Sequence, residues 1–148
     1  MTGDTVRTAT LADAPAMAEV LVAARRAMTY LPLIHTDDRA APFLSGLVTT
    51  AEVAVVERGA LVIAFAVVDD RWLAHLYVHP RAQNQGVGTR LIGWAKQRSP
   101  GGLDLWVFAR NAGARRLYAA HGWRDVLSTE GDNEEGQPDV KMRWDPAG

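Results

Sequence analysis

Short apolar runs alternate with segments of helical spacing along this chain, and the pattern alone sorts most of it into elements. Residues 6–10 read as a short edge strand. Asp13 and Pro15 then open a helix, the acid as a cap and the proline where a missing N–H costs nothing. Met17, Val20, Leu21, Ala24 and Met28 form one apolar stripe that stops before Leu31 and Pro32. A second helix is predicted over 38–48 with Phe43, Leu44 and Leu47 turned inward, and the polar link at 30–37 is expected to be a mobile loop. Residues 52–57 and 61–68 are apolar and β-branched and are split by Arg58 and Gly59, which predicts a hairpin. Asp69 and Asp70 turn the chain into a third strand, 72–78, which Pro80 ends. Val87, Leu91 and Ala95 mark a helix over 86–98, stopped by Pro100, Gly101 and Gly102. Leu103, Leu105 and Val107 alternate along another strand. Asn111 caps a helix that Gly122 terminates, and two last strands, near 123–128 and 140–144, flank an acidic loop.

The predicted order is β-α-α-β-β-β-α-β-α-β-β. Three consecutive strands should pair antiparallel, and the β-α-β step from Trp72 to Val107 should be a right-handed parallel crossover. The fold class is therefore α/β, a mixed sheet with helices on both faces. No repeat or linker interrupts the pattern, so residues 1–148 are expected to form a single domain.

Composition narrows the chemistry. The 148 residues contain no cysteine, which excludes disulfides, thiolate metal sites and a cysteine nucleophile. Sixteen basic residues against 17 acidic ones leave a net charge of −1, which gives no general attraction to nucleic acid or anionic membrane. No apolar run approaches the ~20 residues of a membrane span, and the first five residues lack a basic region followed by an apolar one. A cytoplasmic protein with neither nucleic-acid nor membrane partners is the expectation.

One stretch carries more information than the rest. A strand ending in Leu76, Tyr77 and Val78 runs through His79-Pro80-Arg81-Ala82 into Gln83-Asn84-Gln85-Gly86-Val87-Gly88-Thr89, where a helix begins. The first turn of a helix presents unpaired N–H groups and partial positive charge, and glycines let a ligand approach the backbone. Together these suit a phosphate or diphosphate. A dinucleotide fingerprint would need a third glycine where Leu91 stands, and a Walker loop needs a Gly-Lys-Ser/Thr run that is absent.

The Gln83-x-x-Gly86-x-Gly88 loop resembles the acetyl-CoA diphosphate loop of the GCN5-related N-acetyltransferase (GNAT) superfamily. Asn111-x-x-Ala114-x-x-x-Tyr118-x-x-x-Gly122-Trp123 is similar to a second block of the same superfamily, with Trp123 in place of the common Phe. The resemblance spans the whole chain and implies a GNAT-like fold with acetyl-CoA as co-substrate and no metal. It implies that the main chain of Leu76, Tyr77 and Val78 pairs with the pantetheine arm. Backbone N–H groups of Gln83, Asn84, Gln85, Gly86, Val87, Gly88 and Thr89 would surround the diphosphate, and Asn111 would contact the pantetheine or its sulfur end. The acetyl carbonyl would sit near the Val78 N–H, where the parallel strands splay. Dimers are frequent in the superfamily, so a homodimer is compatible with the sequence.

The chemistry implied is acetyl transfer to a primary amine, on a small molecule or a protein, by direct attack in a ternary complex. Tyr118 lies seven residues after Asn111, two helical turns along one face, and is the expected acid. His75 is the candidate base because its ordinary pKa suits proton transfer near neutrality; the alternative is a partly buried structural histidine. His75 and His79 would stand roughly 13 Å apart on a strand, which rejects a metal pair. The acidic loop, with Glu130, Asp132, Glu134, Glu135 and Asp139, contains no balancing base. Glu134 and Glu135 are candidates for selecting a cationic amine, the alternative being a solvated turn. In the superfamily the first interhelical loop often closes over the acceptor, which makes Tyr30 and His35, beside Asp37 and Asp38, candidate acceptor residues. Arg25, Arg26, Arg115 and Arg116 read as solvent-facing helix charges, with Arg115 or Arg116 an option for the 3′-phosphate of CoA. A version acting on aminoacyl-tRNA needs a basic surface that this charge balance does not supply. A non-catalytic acyl-CoA sensor is the alternative from a different class.

Overall fold

Strand β2 (Glu52–Arg58) acquires two apolar faces by simple alternation: Val53 and Val55 point to one side and Ala54 and Val56 to the other, all four buried. The computed structural model describes residues 3–32 and 34–146; Leu33, in the predicted interhelical link, and the first two and last two residues lie outside the described residues. Around β2 the order is β1 (Asp4–Thr8), α1 (Ala14–Ala27), α2 (Ala40–Thr50), β2, β3 (Leu61–Asp69), β4 (Trp72–Val78), α3 (Val87–Arg98), β5 (Leu103–Phe108), α4 (Ala112–Ala120), β6 (Trp123–Thr129) and β7 (Asp139–Trp144). Short 3-10 turns at Leu11–Asp13, Asp37–Arg39 and Pro80–Ala82 lead into or out of these elements. The predicted order is the observed one.

The seven strands form one sheet in the order β1-β2-β3-β4-β5-β7-β6, antiparallel except for the β4–β5 pair. Met17 and Val20 of α1 and Leu44 of α2 cover one face against Val53, Val55, Phe65 and Val67. Val87, Leu91, Ile92 and Ala95 of α3 cover the other face, joined by Tyr118 of α4. At its far end α3 is anchored by Lys96, whose Nζ donates to the His121 carbonyl at 2.6 Å and stands 4.8 Å from the Trp144 ring centre.

Some sequence expectations are corrected. The first strand runs Asp4–Thr8, two residues earlier than expected. The Asp13 carboxylate accepts from the Thr10 N–H at 2.7 Å and so braces the entry turn instead of capping α1. Phe43 is 48% exposed, not inward, because α2 turns Leu44 fully into the core one position later. The link after α1 is fastened by an ion pair from Arg26 to Asp37 and by a hydrogen-bond contact between His35 Nε2 and Glu134 at 3.0 Å. No helix among the described residues is long and apolar enough to cross a membrane.

Candidate active site

Trp72 opposite Asp104 is the single register pair between β4 and β5, and beyond it the two parallel strands part. A local irregularity in β4 accompanies the parting. Val67 faces His75 while Val68 faces Leu73, so Ala74 is an extra residue, and such a bulge bends the strand that carries it. The His79 N–H donates to the Ile63 carbonyl at 2.8 Å. By antiparallel alternation His75 and Tyr77 therefore turn their main chain toward β3, while Leu76 and Val78 turn theirs toward the gap. The Val78 carbonyl accepts from Gln83 Nε2 at 3.1 Å, which leaves its N–H facing the gap.

The glycine loop closes one end of this gap. Asn84 and Gly86 both take left-handed backbone conformations, with φ of 62° and 82°. Gly86 precedes α3, and a Cβ built on it would meet nothing within 4 Å. The first in-helix bond of α3 runs from the Arg90 N–H to the Gly86 carbonyl at 3.2 Å. The N–H groups of Val87, Gly88 and Thr89 have no acceptor among the described residues, as expected of a helix start. Two of the loop's amide side chains are turned back: Gln83 bonds Val78, and Gln85 Nε2 donates to the Arg81 carbonyl at 3.2 Å.

Tyr118 enters from α4. Its residue is 7% exposed, and its hydroxyl has no partner among the described residues yet is not sealed from solvent. Burial first, and then the neighbouring Tyr77, push its ionisation well above the ordinary phenol range, so the hydroxyl keeps its proton. Asn111 caps α4, its Oδ1 accepting from the Ala114 N–H at 3.2 Å. One carboxamide atom is thus spent on the helix, and the expectation that Asn111 serves a ligand narrows to its Nδ2.

On the opposite face of the sheet lie the groups expected to meet an acceptor. His75 packs edge-on against Phe43 at 5.6 Å and stacks on Tyr77 at 6.2 Å. Burial, and secondly the charge of Arg25, lower its pKa from the ordinary histidine value, which favours the neutral ring. The Tyr30 hydroxyl is buried without a partner among the described residues, with the Arg110 guanidinium 5.2 Å from its ring centre. Beside them an open cleft of about 380 Å³ is lined by Trp106, Val107, Phe108, Asp132, Asn133, Glu135 and Asp139.

The acidic loop is not the unbalanced cluster the sequence suggests. Glu135 accepts from Arg25 at 2.6 Å, Glu134 meets His35 Nε2 at 3.0 Å, and Asp139 is tied to Thr129 and Asn133. Arg25 likewise departs from its predicted solvent-facing place: it is partly buried and also donates to the Tyr77 hydroxyl at 3.4 Å. Its signal was its position four residues after Leu21, beside the apolar stripe of α1. Trp106 and Phe108, also missed, alternate with the buried Leu105 and Val107 and so must face the other side. Arg115 is held by Asp125 at 3.1 Å, while Arg116 is exposed. Among the described residues no three His, Asp or Glu side chains are grouped to hold a metal ion.

Residues 49–125, more than half of the chain, match the acetyltransferase (GNAT) domain. The chain belongs to the GNAT acetyltransferase family. Its sequence is 31% identical over 88 residues to the peptidyl-lysine N-acetyltransferase YiaC of Escherichia coli strain K12, a match covering 60% of this chain and 59% of that protein. The chain thus spans less than two thirds of that relative. Its fold is that of solved GNAT structures. It superposes on yncA from Salmonella typhimurium, described with its cofactor acetyl-CoA, with a TM-score of 0.76 at 20% identity, covering 96% of this chain and 93% of that one. The ribosomal-protein-S18-alanine N-acetyltransferase from Escherichia coli gives 0.74 at 21% identity, covering 97% and 94%. This GNAT chain keeps both motifs in place, with Gly86 at the start of α3 and Asn111 at the start of α4.

Proposed function

We propose that this chain transfers an acetyl group from acetyl-CoA to a primary amine in a ternary complex, in the cytoplasm. The observation that carries the reading is the parting of β4 and β5 beyond the Trp72–Asp104 pair, next to an α3 N-terminus whose first N–H groups find no acceptor among the described residues. The residues fit the co-substrate on structural grounds. Three helix-start N–H groups lack acceptors, and open space adjoins Gly86. The same N–H groups would hold the diphosphate, and the gap-facing main chain of Leu76 would pair with a pantetheine amide, which leaves the Val78 N–H for the acyl oxygen. Acetyl-CoA supplies an activated thioester acyl group.

The chain's own residues supply the rest. The Val78 N–H would donate to the acyl oxygen as negative charge develops there. An alkyl amine has a pKa near ~10 and is mostly protonated at neutral pH, so a base is required, and the neutral His75 ring is the candidate. Tyr118 would present its proton to the departing sulfur. Because burial raises its pKa far above the ~8.5 of an ordinary thiol, full transfer is unfavourable, so its role is to donate a hydrogen bond that stabilises the departing thiolate, the proton that His75 takes from the amine returning to the sulfur through solvent. The acceptor would approach over Tyr30, His75 and the cleft at Trp106, with Glu134 and Glu135 at its rim. The relative's name makes a protein lysine one acceptor to test beside small amines.

The test is free-thiol release from acetyl-CoA with a panel of small amines, lysine peptides and N-terminal peptides, beside calorimetric titration of CoA. Thiol release dependent on an amine supports the reading. Tight CoA binding with no thiol release from any acceptor replaces it with the sensor.

A further inference from the structure

Among the described residues Arg25 is the one cation that reaches from the first helix to the end of β4 and to the β6–β7 loop together. Its Nη1 donates to the Tyr77 hydroxyl at 3.4 Å and its Nη2 to Glu135 at 2.6 Å, 110 residues away in sequence. Glu135 is well shielded, its side chain 13% exposed. We propose that Arg25 is the positioning residue of the acceptor side, its guanidinium fixing the loop over the end of β4 and its charge, balanced by Glu135, setting the field in which the His75 ring works. The catalytic meaning of this rests on the acetyl-transfer reading; its physical content does not.

The surroundings of His75 leave Arg25 as the dominant charge. From β4 the ring meets Tyr77, and from α2 it meets Phe43, on a helix that carries no charged residue. From β3 its register partner is Val67. From α1 it faces the Arg25 charge, which acts with burial to disfavour the imidazolium. Asp104, the nearest acid on the adjoining strand β5, is engaged by Arg143 at 2.7 Å and Lys141 at 3.7 Å. Among the described residues Glu135 bonds Arg25 and makes no contact with the ring, so its charge acts there by offsetting that of Arg25. Removing either partner of the Arg25–Glu135 pair therefore breaks the same strap but changes the field at His75 in opposite senses.

The experiment is an NMR titration of the four histidines, His75 being assigned through His75→Gln. Arg25→Met is expected to raise the His75 midpoint by about half a pH unit or more, Glu135→Gln to lower it, and Arg25→Lys to leave it near wild type. Where an amine is acetylated, the acidic limb of kcat/KM for that amine should move in the same order. Midpoints that stay put, or that move the same way in both charge-removing variants, would show a purely mechanical strap and overturn the proposal. If Arg25→Met does not fold, Glu135→Gln beside Arg25→Lys decides it. The titration needs no acceptor, so the failure of acetyl transfer and the failure of this proposal are separate results.

Discussion

Gly88 in the first turn of α3 lies against Leu117 of α4, where an added Cβ would stand 3.1 Å from the Leu117 Cδ2. The two helices that frame the gap touch through a missing side chain. Gly86, two residues earlier, is different: it has open space but a φ of 82°. Replacements at the two glycines therefore act on the fold by different routes. Gly88→Val should cost about 1–3 kcal/mol through overpacking, and Leu117→Ala should recover part of that. Gly86→Ala should cost about 1–2 kcal/mol through backbone strain alone, with no recovery from Leu117→Ala. Urea unfolding of the two series checks this, and CoA titration should show weaker binding in both.

Tyr118→Phe should lower kcat by about 100-fold while leaving the KM for acetyl-CoA within about twofold. Its hydroxyl has no partner among the described residues to lose, so the melting temperature should stay unchanged or rise. A parallel loss of acetyl-CoA affinity would mean that the ring only packs, as its 5.5 Å contact with Trp123 already allows. Steady-state kinetics with a thiol reporter and a thermal melt give both readings.

What was legible in advance follows from range. Element order rests on local periodicity and on Gly and Pro stops, and it is recovered with small shifts at the ends. Gly86 and Asn111 fall at helix starts because both residue types are favoured there by local backbone chemistry. The pairing of Arg25 with Glu135 is a different matter, since nothing local to either residue encodes a partner 110 positions away. Phe43 was misplaced for a related reason: neighbouring apolar residues on a short helix cannot all face inward, and tertiary packing selected Leu44. The gap is accompanied by a one-residue bulge at Ala74, which no side-chain pattern marks.

The buried hydroxyl of Tyr30 also makes a prediction. An unsatisfied buried polar group costs about 1–3 kcal/mol, so Tyr30→Phe should leave the isolated protein equally stable or more stable by up to about 1 kcal/mol. Should the hydroxyl become accessible to an amine acceptor approaching over Tyr30, the same change should raise the acceptor KM several-fold while sparing the KM for acetyl-CoA. Denaturant melts and acceptor titrations separate the two effects. A destabilised Tyr30→Phe protein would mean that the hydroxyl has a bonding partner in solution.

Acid stability should be governed in part by Asp13, far from the gap. Its two carboxylate oxygens accept from Arg7 Nη1 and Nη2 at 2.8 Å each, and one also accepts from the Thr10 N–H at 2.7 Å. The Arg7 hydrogen bonds lead the causes that bring its pKa from 3.8 to about 2. The folded state thus binds the proton less readily than the unfolded chain. The stability gained is fully present above about pH 4 and is lost as pH falls toward about 2. Arg7 is one-third exposed, which screens the pair and brings the expected contribution to about 1–2 kcal/mol. Asp13→Asn should lose that amount at pH 7, and the gap between variant and wild type should shrink as both are titrated below pH 3. Urea melts at stepped pH values measure it; a constant gap down to pH 2 would show that the carboxylate contributes through shape and not through charge.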